Sequence, residues 1–151
     1  MQHRLHVRAQ PPCVDEARGA AEKALKLEPT SWKANHQLGI IFEAAKLKEK
    51  ACSFYRRAIE LAPKEWQPRN NLAVLLMEAK TPAASKEALV HLEEAAKLQG
   101  ASATVHYNLA LARMQNNLKA RAKEAASLAS TLGVTGNPIA QMASELTAAL
   151  A

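Results

Sequence analysis

Apolar residues along this chain recur at intervals of three and four, and the series restarts at fixed distances. Leu38, Gly39 and Phe42 mark one stretch, and Ala51, Tyr55 and Ala58 mark the next. That period puts the apolar positions on one face of an α-helix. The phrase ALKLEPTSW at 24–32 returns as AIELAPKEW at 58–66, pairing Ala24 with Ala58, Pro29 with Pro63 and Trp32 with Trp66. The stretch NHQLGIIFEA at 35–44 returns as RNNLAVLLMEA at 69–79 and as HYNLALARMQ at 106–115. Leu38, Leu72 and Leu109 are therefore 34 and 37 residues apart, and Ala24, Ala58, Ala95 and Ala129 are separated by 34, 37 and 34. Both series put three extra residues in one place, KTPAAS at 80–85, whose turn-forming composition predicts an insertion in a loop.

Each unit reads as two helices. A small residue beside each core leucine (Gly39, Ala73, Ala110) lets two helices approach closely. Pro29 and Pro63 end the second helix, because proline has no N–H for the hydrogen-bond ladder. One such hairpin cannot bury its apolar face alone and must stack on its neighbours.

The pattern resembles the tetratricopeptide repeat. Residues 32–65 carry it through Leu38, Gly39, Phe42, Ala51, Tyr55, Ala58 and Pro63. Residues 66–102 carry it with the insertion, through Leu72, Ala73, Leu76, Ala88, Leu92 and Ala95. Residues 103–136 match more loosely through Leu109, Ala110, Ala122, Ala126 and Ala129, with Arg113 where a large apolar residue belongs. The expected fold is all-α: a right-handed α-solenoid of helical hairpins, a tetratricopeptide-like superhelix with a C-terminal capping helix. Residues 1–13 read as a flexible leader or as the cut edge of a longer chain, with Arg4 and Arg8 where a first helix would need core residues, and 14–151 as the repeat domain. That domain divides into a half repeat (14–31), three repeats (32–65, 66–102 and the degenerate 103–136) and a capping helix (137–150). Asn137 is placed to cap the last helix, Pro138 suits its first turn, and Ile139, Met142, Leu146 and Leu150 form an apolar stripe expected to cover the end of the stack.

Charge and chemistry narrow the picture only slightly. The net charge of +6 is spread along the chain and makes no dense basic stripe, which argues against nucleic acid. No run of about 18 apolar residues exists to span a membrane, and the leader lacks a signal-length apolar stretch, so a cytoplasmic location is expected. Cys13 in the leader and Cys52 in a helix read as free thiols of a reducing compartment. His3, His6, His36, His91 and His106 are scattered, and none is expected to have an acidic partner at helical metal-site spacing. With no phosphate loop and no nucleophile elbow, the expectation is a non-enzyme with no cofactor and no metal.

The resemblance implies a protein-binding concave face lined by the first helix of every hairpin. It implies Lys33, His36, Ile40 and Glu43 from the first full repeat, Gln67, Asn70, Val74 and Met77 from the second, and Thr104, Tyr107, Leu111 and Met114 from the third. Ile40, Val74 and Leu111 would floor the groove beneath His36, Asn70 and Tyr107, a mix that suits an extended or helical peptide with one apolar side. Gln37, Asn71 and Asn108 stand before the core leucines; they read either as an amide row that grips a peptide backbone or as hairpin braces. Family members that hold a C-terminal carboxylate use a Lys/Asn pair, an Asn and a Lys/Arg pair. Here the positions are His36 and Ile40, Asn71, and Thr104 and Asn108, so a carboxylate-clamp ligand is not expected. Two competing readings remain. One is a self-associating scaffold that pairs helix 14–28 or the last helix between copies. The other is an electrostatic binder of an acidic partner or nucleic acid through Lys46, Lys48, Lys50, Lys80, Lys86, Lys119 and Arg121 on the hairpin turns. Trp32 and Trp66 are expected to pack against preceding helices.

Overall fold

A computed structural model describes residues 12–98, 102–133 and 136–151. Among them run eight helices: α1 (Pro12–Leu27), α2 (Trp32–Ala44), α3 (Lys48–Leu61), α4 (Trp66–Glu78), α5 (Pro82–Leu98), α6 (Ala103–Gln115), α7 (Lys119–Leu132) and α8 (Pro138–Ala149). Most of the expected leader, residues 1–11, lies outside the described residues. Helix α1 starts two residues before the expected boundary at 14. The chain forms two compact units, residues 1–61 and 62–151.

In the first unit α2 pairs with α3, and α1 packs on α2. Leu38, Ile41 and Ala21 are buried together, with Val14, Leu25, Phe42 and Phe54 packed around them. Ala51, Tyr55 and Ala58 are fully buried on α3. In the second unit α4 pairs with α5 and α6 with α7, while α5 also packs on α6 and α7 on α8. One core joins Ala73, Leu92, Leu109, Ala110 and Ala126, and Leu146 of α8 packs against it. Aromatic residues are 4% of the chain, so alanine fills most of the interface between paired helices. Small side chains bring the backbones close, and dispersion is then gained over many short contacts.

The turns repeat as faithfully as the helices. Lys46, Lys80 and Asn117 all have left-handed backbone (φ 63, 53 and 59) and sit one residue past the C-cap of α2, α4 and α6. After α2 the Lys46 N–H donates to the Glu43 carbonyl at 2.9 Å and the Leu47 N–H to the Phe42 carbonyl at 2.9 Å. After α6 the same pair runs from Asn117 to Met114 at 3.0 Å and from Leu118 to Arg113 at 2.8 Å. Both are Schellman closures, which satisfy the carbonyls left open at a helix end and reverse the chain. Ser31 and Ser102 cap the start of α2 and α6, accepting from Ala34 N–H (3.3 Å) and Val105 N–H (3.4 Å).

The three extra residues are not in a loop. All three hairpin turns are equally long, and α5 instead begins a turn early, at Pro82. Proline fits the first turn of a helix, and the Thr81 hydroxyl accepts from Ala84 N–H at 3.3 Å. The added turn brings in Ser85, which is buried and donates to Gln115 Oε1 at 3.3 Å, while its carbonyl accepts from Asn116 Nδ2 at 2.9 Å. At the C-terminus Asn137 caps α8 as expected, accepting from Ile139 N–H at 2.9 Å. The inward stripe of α8 differs from the expected one: Ala143 is buried and Met142 is 44% exposed.

Gly39 and Tyr55 show why a small residue stands beside the core leucine. A methyl group on Gly39 would collide with the Tyr55 ring. The equivalent pairs in the second unit are Ala73 with Leu92 and Ala110 with Ala126, all essentially unexposed. Gly39→Ala is therefore expected to lower stability by about 1–3 kcal/mol in urea unfolding, despite the better helix propensity of alanine. Adding Tyr55→Leu, which copies the second repeat, should recover most of that loss.

Candidate protein-interaction face

The first helices of the hairpins carry the predicted groove residues, and the two units place them differently. On α2, Lys33, Gln37 and Ile40 are exposed, Ile40 by 38%. His36 and Glu43 are half-buried and turn toward α3. The Tyr55 hydroxyl donates to Glu43 Oε2 at 2.5 Å. The His36 ring lies 5.8 Å from Tyr55 and 6.2 Å from Trp32, centroid to centroid. Trp32 is half-buried, and its ring meets His36 one turn further along α2. On the other side of this hairpin Phe42 stacks on Phe54 at 5.3 Å, with Lys50 Nζ 5.4 Å above the Phe42 ring.

In the second unit the amides meet one another. Asn108 Nδ2 on α6 donates to Asn70 Oδ1 on α4 at 2.9 Å, and Asn70 Nδ2 donates to Asn71 Oδ1 at 3.4 Å. Asn70 is buried, as a polar side chain can be when its hydrogen bonds are made. Asn108 therefore braces neighbouring first helices, and Gln37 is exposed on α2 in the first unit. Met77 is buried in the core, and its carbonyl accepts from Gln115 Nε2 at 3.3 Å. Gln67, Asn71, Val74, Thr104, Tyr107, Asn108 and Leu111 are half-buried, and Met114 is 37% exposed.

Three features went unseen in the sequence. Arg113, placed where the repeat wants an apolar side chain, keeps only 14% of its side chain exposed. Its guanidinium donates to the Arg121 carbonyl at 2.9 Å and lies 3.7 Å from Glu93, which also accepts from Arg121 at 3.2 Å. Its length lets it cross the position and place the charge among these partners. Glu87 does stand four residues before His91, with its carboxylate 3.7 Å from Nε2, so the expectation of no acidic neighbour at that spacing is corrected. On its other side the His91 ring faces Arg69 at 3.5 Å. Among the described residues no three His, Cys, Asp or Glu gather into a metal-binding group. The third feature, the Ser85 brace, could be read only from Thr81-Pro82 as a helix start.

The turn cations Lys46, Lys48 and Lys50 are exposed in the first unit, as are Lys80, Lys86, Lys119 and Arg121 in the second. Arg121 is already engaged with Glu93. No helix of the described residues is long and apolar enough to cross a membrane.

Residues 33–65 match the family model of the tetratricopeptide repeat. No curated protein matches the chain by sequence. Among solved structures, yeast Tom70 aligns with a TM-score of 0.81 at 22% identity, over 90% of this chain and 29% of its own. MamA 41-end from Desulfovibrio magneticus RS-1 aligns at 0.72 and 18%, over 92% of this chain and 84% of its own. The MamA RS-1 ArsTM double mutant aligns at 0.71 and 18%, over 91% and 84%. At these identities the shared property is the fold. The chain carries a tetratricopeptide repeat at 33–65, and its fold is the all-α helical-repeat solenoid class of that family.

Burial holds the His36 pKa below the ordinary histidine value of 6.5. The unfolded chain then takes up a proton first as pH falls, so the stability that neutral His36 supports is full above that value and lost below it. Thermal melts between about pH 7 and about pH 5 should show a falling midpoint, and His36→Gln should flatten that fall.

Proposed function

We propose that the protein is a non-enzymatic, cytoplasmic adaptor that binds a peptide or helix of a partner protein on the first-helix faces of its hairpins. The observation that carries this reading is the brace from Asn108 to Asn70, which fixes α6 against α4. Val74 and Leu111 are thereby held half-buried beside exposed Met114, so apolar surface is offered without a large ordering cost. In the first unit Ile40 offers the same kind of contact from α2, flanked by Lys33 and Gln37. The family match over 33–65 supports a binding role for these faces. Asn71 remains a peptide contact in this reading, whereas Asn70 and Asn108 serve the face by holding its shape.

Peptides selected against the protein from a displayed library provide the test. Ile40→Asp or Met114→Asp should weaken the selected peptides at least about tenfold, near 1.4 kcal/mol, with helicity unchanged. Amidation of the peptide C-terminus should leave affinity unaltered. Binding that survives both aspartates but disappears in high salt, or on Lys80→Glu with Lys119→Glu, would move the site to the basic turns and overturn this proposal.

A further inference from the structure

Helices α5, α6 and α7 of the second unit form an open cavity of about 460 Å³. That volume lies in the range of small-molecule sites, roughly 300–1,000 Å³. From α6 the cavity takes His106, Leu109 and Arg113, which recur at intervals of three and four and so share one helical face. Tyr107, Leu111 and Met114 belong by the same period to the opposite face, so the cavity is separate from the first-helix face described above. Its polar and apolar parts are separated along the helices. Leu109 and Ala125, both buried, line the middle together with half-buried Ala96. Arg113, Arg121 and Glu93 gather at one end. His106 stands seven residues before Arg113, about 10 Å away along α6.

The arginine end is short of acceptors. Among the described residues Arg113 makes one hydrogen bond, from Nη1 to the Arg121 carbonyl at 2.9 Å, although its side chain is only 14% exposed. The Glu93 carboxylate lies 3.7 Å from Nη2, an ion pair beyond hydrogen-bond distance. Arg113 Nε is buried and has no hydrogen-bond partner among the described residues. Arg121 Nη2 donates at 3.2 Å to the same Glu93 oxygen, Oε1, that faces Arg113. Two guanidinium groups, each a planar fork of donors without an acceptor, therefore share one carboxylate oxygen and one carbonyl. A buried donor without an acceptor costs stability that an added oxygen atom recovers. Lys97 and Glu124 also line the cavity; both are exposed, and Lys97 is already paired with Glu94 at 2.7 Å.

We propose that this cavity binds a small carboxylic acid with an apolar body. The carboxylate sits between Arg113 and Arg121, and the body lies over Leu109 and Ala125 toward His106. A carboxylate matches the fork of a guanidinium and can accept two parallel bonds from it, which a rounder or singly accepting group cannot do as well. The apolar middle of the cavity gives a hydrocarbon chain a contact that an inorganic anion lacks. Glu93 is then the internal competitor for both arginines, and the affinity of the site is what remains after that competition. Because the three charged groups come from α5, α6 and α7, a ligand held there ties the three helices together. The site neither uses nor requires the peptide-binding reading of the first-helix face.

Amide NMR spectra of the full chain, recorded during titration with octanoate, test this. Saturable shifts should concentrate at Leu109, Arg113, Arg121 and Ala125. Octylammonium has the same chain with the opposite charge, and butyrate has the same carboxylate on a shorter chain. Each should bind the wild type at least about tenfold more weakly than octanoate. Arg121→Gln, at a side chain 55% exposed, should weaken octanoate about tenfold with circular dichroism unchanged. Glu93→Gln keeps the shape of the side chain and removes the competing charge, so it should tighten octanoate several-fold. A charge network that serves stability alone predicts no such gain. The comparison of the three probes on the wild type needs no variant to fold. No saturable shift with octanoate, octylammonium or butyrate bound as tightly, an Arg121→Gln affinity equal to wild type, or a Glu93→Gln affinity no better than wild type would each overturn the proposal.

Discussion

Two helices joined by a three-residue turn can bury a common face only if their backbones come close, and in this protein that approach depends on what stands beside each core leucine. Gly39 lies under the Tyr55 ring with no room for a β-carbon. Where alanine replaces glycine, at Ala73 and Ala110, the opposing side chain shrinks to Leu92 and then to Ala126. Across the first two pairs volume is traded between partners, as close-packed interiors require, and the third pair closes with alanine on both sides. The rest follows from that proximity. A core filled by alanine needs neighbours on both sides of each helix to gather enough dispersion, and α5 and α7 each contact the hairpin helix and the next element. The left-handed residues at Lys46, Lys80 and Asn117 reverse the chain tightly enough to hold the two helices at this spacing.

The repeat was legible because its signals are short-range and redundant. Period, small residues and prolines point to hairpins at the same offsets, and the structure has helical hairpins there. What escaped was decided by length and by neighbours, which a period cannot report. The extra residues after Lys80 form a helical turn because Thr81 and Pro82 start a helix well, although the same letters also spell a loop. Period assigns Glu43 to the open side of α2, yet its side chain is long enough to reach Tyr55. Arg113 occupies an apolar position because Glu93 and the Arg121 carbonyl happen to be in range. By its place in the repeat Asn108 fits either a ligand contact or a brace, and only its distance to Asn70 makes it a brace.

These internal commitments narrow what a binding face can use. A buried amide that has found its partners is costly to expose and gains little from a ligand, so Asn70 contributes stiffness rather than recognition. In the proposed reading, selectivity rests on side chains that keep accessible surface and are held by their surroundings, such as Tyr107, Leu111 and Met114. A thioether at the margin of such a face suits partners of varied shape, since methionine adapts its packing at low energetic cost. A site of that kind recognises an apolar pattern more than a fixed sequence.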